Sequence, residues 1–292
     1  MISASTLAPS PSPRSAPIAS EPDAIVVTGT KATRHAIHSF IDGLTVDTDG
    51  QIAMFEQPIC PASFGLPEPY NRVVEQRLRE DAAQVGLRIA PERCDANVIV
   101  IVADSPAPFV AELQRKRPDM FVGLDSSQLR DIMKPNQPVR TWQAIEPRGE
   151  DGRPLERVMF INGSAAGNGG AWSNPWTVDS RLQAKIKPIL VSSFVVIGAD
   201  AVDGLTLTQI ADYAAMRSLA RTRSTPTLNH QSILEVIGGA RQDRTVDQLT
   251  PWDVAYLRAL YRTSNGVSAP MQQSDMAAAM KRELNNLESA EH

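Results

Sequence analysis

The chain has 292 residues, of which 42% are hydrophobic and 21% charged, and it carries a formal net charge of −4. That length allows one large or two ordinary domains with a full core, and the acidic balance argues against a phosphate-backbone binder, so nucleic acid is not a leading partner. No run approaches the roughly 18 apolar residues that read as a membrane-spanning helix.

Residues 1–23 are dominated by Ser, Pro and Ala. They cannot bury enough apolar surface to offset their ordering entropy and are predicted to form a disordered tail. The tail lacks the charged and continuous apolar regions of a secretory signal, although such tails commonly follow a cleaved leader. Ile25–Thr30 is a short strand pattern ending in a Gly turn. It resembles the opening of the plug domain of TonB-dependent receptors and hints at a bacterial envelope setting, but the chain has no alternating barrel strands.

Residues 24–145 read as an α/β N-terminal part. Lys31–Leu44 is predicted helical, with Thr33 as a cap and Ile37, Phe40, Ile41 and Leu44 on one side. Its His35 and His38 have a spacing able to bind metal, but no carboxylate or third His accompanies them, and solvent-facing or packing roles are favoured. Gln51–Gln57 is predicted as a strand and Cys60–Pro69 as a Pro-punctuated loop. The helix predicted over Tyr70–Val85 turns Val73, Val74, Leu78 and Ala82 inward behind a Glu/Arg-rich outer face, and Gly86 ends it. Ala96–Ala103 is a continuous apolar run of the kind buried on both faces of a sheet. Helices are expected over Pro106–Lys116 and near Ser126–Met133, and a strand over Val139–Ile145.

Cys60 and Cys94 are the only cysteines. Their loop contexts are consistent with one disulfide, worth roughly 3–4 kcal/mol in the chain-entropy model, and so with an oxidising compartment, periplasmic or secreted. Two unrelated thiols fit the spacing nearly as well.

Residues 146–292 form the C-terminal part. A polar turn at Pro147–Pro154 precedes a strand at Val158–Ile161. Asn162–Trp176 then holds four Gly, three Asn and two Trp in 15 residues, the composition of a mobile surface loop. Trp172 and Trp176 are either contact surfaces of a functional lid or patches folded back on the core. Ile189–Ile197 is a β-branched strand. Thr206 and Gln209 make a capping box for a central helix over 206–221, whose Leu207, Ile210, Ala211, Ala214 and Ser218 line one narrow face. After Ser232-Ile233-Leu234 comes a second capped helix at Leu249–Tyr261. Thr250 caps it, Pro251 is its first residue, Asp253 completes the box, and Leu249 and Val254 are placed to staple across the cap. Gln273–Leu287, with Met276, Met280, Leu284 and Leu287, is amphipathic and either packs or docks.

The order of strand, central helix, Ser-Ile-Leu turn and closing helix reading Leu-Thr-x-x-Asp resembles the catalytic half of zinc-dependent metallopeptidases of the zincin class, particularly metzincins. The resemblance covers residues 180–262. It implies an α+β fold, a mixed sheet with helices and a zincin-like C-terminal half, and a central helix carrying His-Glu-x-x-His, two imidazoles on zinc and a Glu beside the bound water. Here one register places Tyr213, Ala214 and Arg217 at those positions, and the other places Asp212, Tyr213 and Met216. Thr222 or Arg223 stands at the third ligand position and Leu234 where the Met of the Met-turn belongs. No zinc-ligand set and no other cofactor motif is present.

The functional expectation is a non-catalytic pseudoenzyme, periplasmic or secreted, acting by binding a protein or peptide partner or in assembly. Its candidate cleft residues are Asp212, Tyr213, Met216, Arg217, Trp172 and Trp176. A hydrolase with an unrecognised site in the same cleft, built around Asp212, Tyr213 and Arg217, is the alternative, and a structural envelope protein a third. No nucleophile elbow accompanies His35, His38 or His230. A buried Asp212 paired with Arg217 or Tyr213 is the expected signature of a retained binding site.

Overall fold

The computed structural model describes residues 33–121, 124–149, 152–153, 155–158, 171–173, 186–226, 228, 231–237 and 246–290, with backbone alone at 156–158, 171–173 and 288–290. The expected tail, Ile25–Thr30, most of the Asn162–Trp176 loop including Trp176, and His230 lie outside them.

The chain from Ala32 onward is one compact unit. It opens with α1 (Arg34–Leu44), where Thr33 accepts the Ala36 amide and Ile37, Phe40, Ile41 and Leu44 are buried. Two short strands follow, β1 (Met54–Phe55) and β2 (Pro61–Phe64). The segment expected to be a loop over Cys60–Pro69 thus contains a strand. Pro61 is tolerated because it is the first residue of a strand that pairs only with β3 among the described residues. Gly65 closes it at φ +94°, where a Cβ would lie 1.8 Å from the Val102 carbonyl oxygen.

Helix α2 (Glu68–Gln84) leads to β3 (Val98–Ala103), then α3 (Pro106–Lys116) and α4 (Ser126–Ile132). Val74, Leu78 and Ala82 of α2 face the core as expected, but Val73 is 48% exposed, and Asp81 takes an inward position instead. The long strand β4 (Val139–Gly149) runs through part of the expected polar turn. A two-stranded ribbon of β5 (Glu156–Val158) and β6 (Ala171–Ser173) precedes β7 (Ile186–Gly198). After a short α5 (Ala199–Val202) come α6 (Leu207–Leu219), α7 (Pro251–Arg262) and α8 (Ala269–Ala290), with a 3-10 turn at Ile233–Val236 between α6 and α7. Met276, Met280 and Leu284 of α8 are buried, whereas Leu287 is 42% exposed, so the apolar face stops one turn short of the expectation.

The architecture is mixed α/β around a mostly parallel sheet. β7 is its spine: β3 and β1 pair parallel to successive parts of one side, β2 extends the sheet parallel to β3, and β4 runs antiparallel along the other side of β7. A division between residues 145 and 146 would cut β4, and strands from both expected parts share this sheet, so the two parts are not separate domains.

Alternation along β3 and β7 splits the core into two layers. Val98, Val100, Val195 and Ile197 face the large cluster built by α1, α2, α6, α7 and α8. Ile99, Ile101, Phe194 and Val196 face a smaller one under α3 and α4. In that smaller layer Trp142 is stacked between Phe121 and Phe194, centroids 4.8 and 4.9 Å away, and its indole donates to the Met120 carbonyl. Cys60 and Cys94 form the disulfide, with a Cα–Cα distance of 6.1 Å. No described helix is long and apolar enough to cross a membrane.

Candidate functional site

Helix α6 begins at its predicted capping box, Thr206 with Gln209. Every residue from Gln209 to Leu219 is buried, because α2, α7, the 3-10 turn and the sheet all pack on the helix. A helix enclosed on all sides puts its polar side chains against protein, and each must find partners there. They do so in two opposite directions.

Asp212 turns toward α2. Its Oδ1 accepts from Arg77 Nε at 2.7 Å and its Oδ2 from Arg77 Nη2 at 3.0 Å, a two-pronged pair, while the Leu249 amide donates to Oδ2 at 2.5 Å. The expected pairing with Arg217 or Tyr213 does not occur. Asp81 lies beside this pair, one oxygen 3.2 Å from Arg77 Nε, but that N–H points at Asp212 and neither Asp81 oxygen accepts a hydrogen bond. Burial first, and the Asp212 charge second, push the Asp81 carboxyl up to about 8. The hydrogen bond to Asp212 raises the Arg77 guanidinium further above its ordinary value.

Arg217 turns the other way. Its Nε donates to the Tyr213 hydroxyl at 3.1 Å, Nη1 to Thr222 Oγ1 at 3.0 Å and the Arg223 carbonyl at 2.6 Å, and Nη2 to the Ser224 carbonyl at 3.0 Å. The guanidinium also lies 5.3 Å from the Tyr213 ring centroid. Arg217 is therefore a clamp on the segment that follows α6, not the solvated helix end its basic neighbourhood suggests. Met216 is plain core, and Tyr213 is 1% exposed. The backbone of Trp172 sits in β6 opposite Arg157.

What Arg217 clamps is one rim of a cleft. The cleft has a volume of about 1040 Å³ and runs beside β4, lined by Trp142, Gln143, Ile145 and Arg148 on that strand, and by Thr48, Gln51, Arg221 and Ser224 opposite. Asp212, Tyr213, Met216 and Arg217 do not line it. Gln143 ties strand to helix by donating to the Arg217 carbonyl at 3.1 Å. The rim segment is fixed to the end of α1 as well, through Val46 N to Arg221 O at 3.1 Å and Arg223 N to Leu44 O at 2.9 Å. Arg221 itself is held by Asp47 O and Thr48 Oγ1, and burial lowers its pKa against the opposing charges of Asp47 and Asp49.

No family model, curated protein or solved structure matches the chain.

Among the described residues no three His, Cys, Asp or Glu side chains are placed to hold a metal ion, and His35 and His38 are exposed on α1. A third anionic centre is structural. Asp253 of α7 is wholly buried and accepts from Ser232 Oγ at 2.5 Å, the Ile233 amide at 2.8 Å and the Thr250 amide at 3.0 Å, joining the cap of α7 to the turn after α6. Burial pushes its carboxyl up to about 6 against the pull of those donors. Arg77, Asp81, Gln51 and Arg221 were not singled out by sequence. Arg77 and Asp81 at i, i+4 were readable as a helix pair, but their burial was not.

Proposed function

We propose that the protein is a non-catalytic binding protein on a metallopeptidase-like scaffold, and that it holds an extended peptide in the cleft beside β4. The observation carrying this reading is a contrast within one region. The helix positions at which the resembled scaffold holds zinc and its base carry Tyr213, Ala214 and Arg217 in one register and Asp212, Tyr213 and Met216 in the other; the polar side chains of Asp212, Tyr213 and Arg217 are committed to the fold, while the adjoining cleft stays open. The order of elements supports the scaffold: a strand antiparallel to its neighbour lies at the sheet edge, that neighbour leads into the buried central helix, and a Ser232-capped turn and the Thr250–Asp253 box follow.

The β4 edge supports the ligand class. Among the described residues β4 pairs with β7 alone, and none of the described strands occupies its other side, where an added strand would pair. Strand addition supplies affinity through main-chain hydrogen bonds and selectivity through alternate side-chain pockets. Ile145, Pro147 and Pro188 give the cleft an apolar wall. The disulfide supports a periplasmic or secreted location, since such bonds persist in oxidising compartments.

The test is a pooled, fluorescence-quenched peptide library incubated with the protein with and without added zinc. Saturable binding without turnover, lost in Ile145→Asp while the fold is retained, is the expected result. Stoichiometric, zinc-dependent cleavage would overturn the non-catalytic reading and favour a hydrolase in the same cleft.

A further inference from the structure

Two polar groups that line the cleft have hydrogen-bonding capacity that the described fold does not use, and both are tied to Thr48. Arg221 makes its two hydrogen bonds through Nη1, and no described residue accepts from Nε or Nη2. No carboxylate among the described residues forms an ion pair with it, although the charges of Asp47 and of the lining Asp49 act on it through space, whereas the other lining cation, Arg148, is paired with Glu146 at 2.6 Å, and the lining Asp131 with Lys134 at 2.7 Å. Gln51 is 9% exposed and donates through Nε2 to the Ile186 carbonyl at 2.7 Å, but its Oε1 is buried with no donor. A buried acceptor without a partner is uncommon and costly in a native fold.

The two are coupled through Thr48. Arg221 holds the Thr48 hydroxyl, and Thr48 and Gln51 exchange both backbone hydrogen bonds, at 2.6 and 3.0 Å. The cleft lining therefore holds a guanidinium with two donor nitrogens that no described residue accepts from and, linked to it through Thr48, an acceptor that lacks a donor. A ligand satisfying both presents a carboxylate and an N–H.

We propose that Arg221 and Gln51 form a subsite for a free carboxylate carrying an adjacent N–H, the chemistry of a peptide's C-terminal residue. The carboxylate takes the free donors of Arg221 and the N–H of that residue meets Gln51 Oε1. The rest of the chain runs along β4, so the proposal rests on the peptide-binding reading and adds polarity to it. A free amino acid derivative shares the same end group, and the cleft volume of about 1040 Å³ favours the peptide.

The test uses the full chain and N-terminally fluorescein-labelled pools of random hexapeptides, made in two forms, C-terminal acid and C-terminal amide, read by anisotropy. N-acetyl amino acids serve as unlabelled competitors. The acid pool is expected to bind at least tenfold tighter, the scale of one charge-assisted hydrogen bond. Arg221→Gln should shrink that preference to within twofold by weakening the acid pool more than the amide pool, with the fold retained by circular dichroism, and Arg221→Lys should restore part of it. Equal binding of acid and amide pools to the unmodified protein overturns the subsite and leaves the peptide-binding reading standing, and that comparison decides even if the variants do not fold. Binding of neither pool overturns both. Competition by N-acetyl amino acids at concentrations matching the peptides overturns the peptide assignment in favour of a small carboxylate ligand.

Discussion

Replacing Asp81 by Asn tests whether the acid pair between α2 and α6 stores a proton. Asp81 faces Arg77 and Glu80 on its own helix and Asp212 on α6, and burial with the Asp212 charge pushes it up to about 8. In the unfolded chain an Asp titrates near pH 4. An acid whose folded pKa exceeds its unfolded value stays protonated in the folded state after the unfolded chain has lost that proton. Its effect on stability is nil below about pH 4, grows more unfavourable up to about pH 8, and is constant above. Within that window each pH unit costs at most about 1.4 kcal/mol. From pH 5 to 8 the ceiling is about 4 kcal/mol, and water reaching Arg77, whose side chain is 26% exposed, reduces the expected loss to about 2 kcal/mol. Asn keeps the shape, donates an N–H to Asp212 as the protonated acid does, and does not titrate. Urea unfolding followed by tryptophan fluorescence should show an Asp81→Asn advantage that grows by about 2 kcal/mol between pH 5 and pH 8. Asp253 titrates in both proteins and cancels in the difference. If the two stability curves run parallel from pH 5 to 8, the proton is not held at this pair.

Arg217→Met should destabilise by about 3 kcal/mol, since it leaves the carbonyls of Arg223 and Ser224 without their donor, and an urea midpoint unchanged from wild type would remove the clamp. Asp253→Ala should cost more than Thr250→Ala, about 3 against about 1 kcal/mol, because it strips acceptors from Ser232, Ile233 and Thr250 at once; equal losses in calorimetry would reduce Asp253 to an ordinary cap. The Cys60→Ser/Cys94→Ser double variant closes no loop across the sequence separation of 34 and should lose about 3 kcal/mol, with the wild-type melting temperature falling to the same value in reductant.

The features legible in the sequence are those set by neighbours along the chain. Thr206 with Gln209 and Thr250 with Asp253 start their helices where the boxes place them, and the apolar runs of β3 and β7 are the buried strands. The direction in which Asp212 points was not legible. Helical periodicity separates an inner from an outer face, and α6 has no outer face, so Asp212 and Arg217 gave no angular signal for their opposite orientations. The same holds for α2, where a Glu/Arg-rich pattern reads as solvated although Asp81 is fully buried. β2 was hidden by Pro61 and Gly65, which punctuate loops elsewhere and here bound an edge strand. The cleft is less legible still, because it exists only once β4 pairs with β7.

That pairing also explains why α6 keeps Arg217, a polar residue, inside the core. An apolar side chain at residue 217 would satisfy the core equally well, but it would leave the Thr222–Ser224 segment without its donors, and that segment ends in Ser224, which lines the cleft. Gln143 reaches across from β4 to the carbonyl of the same residue, so helix, strand and rim meet at Arg217. The position thus acts on the cleft without lining it. Loss of Arg217 should accordingly disturb ligand binding by displacing Arg221, four residues on, whereas loss of Arg221 alone should leave the rim in place. Measuring both variants with the acid and amide peptide pools separates the two roles: Arg217→Met weakens binding of both pools alike, and Arg221→Gln weakens the acid pool more than the amide pool.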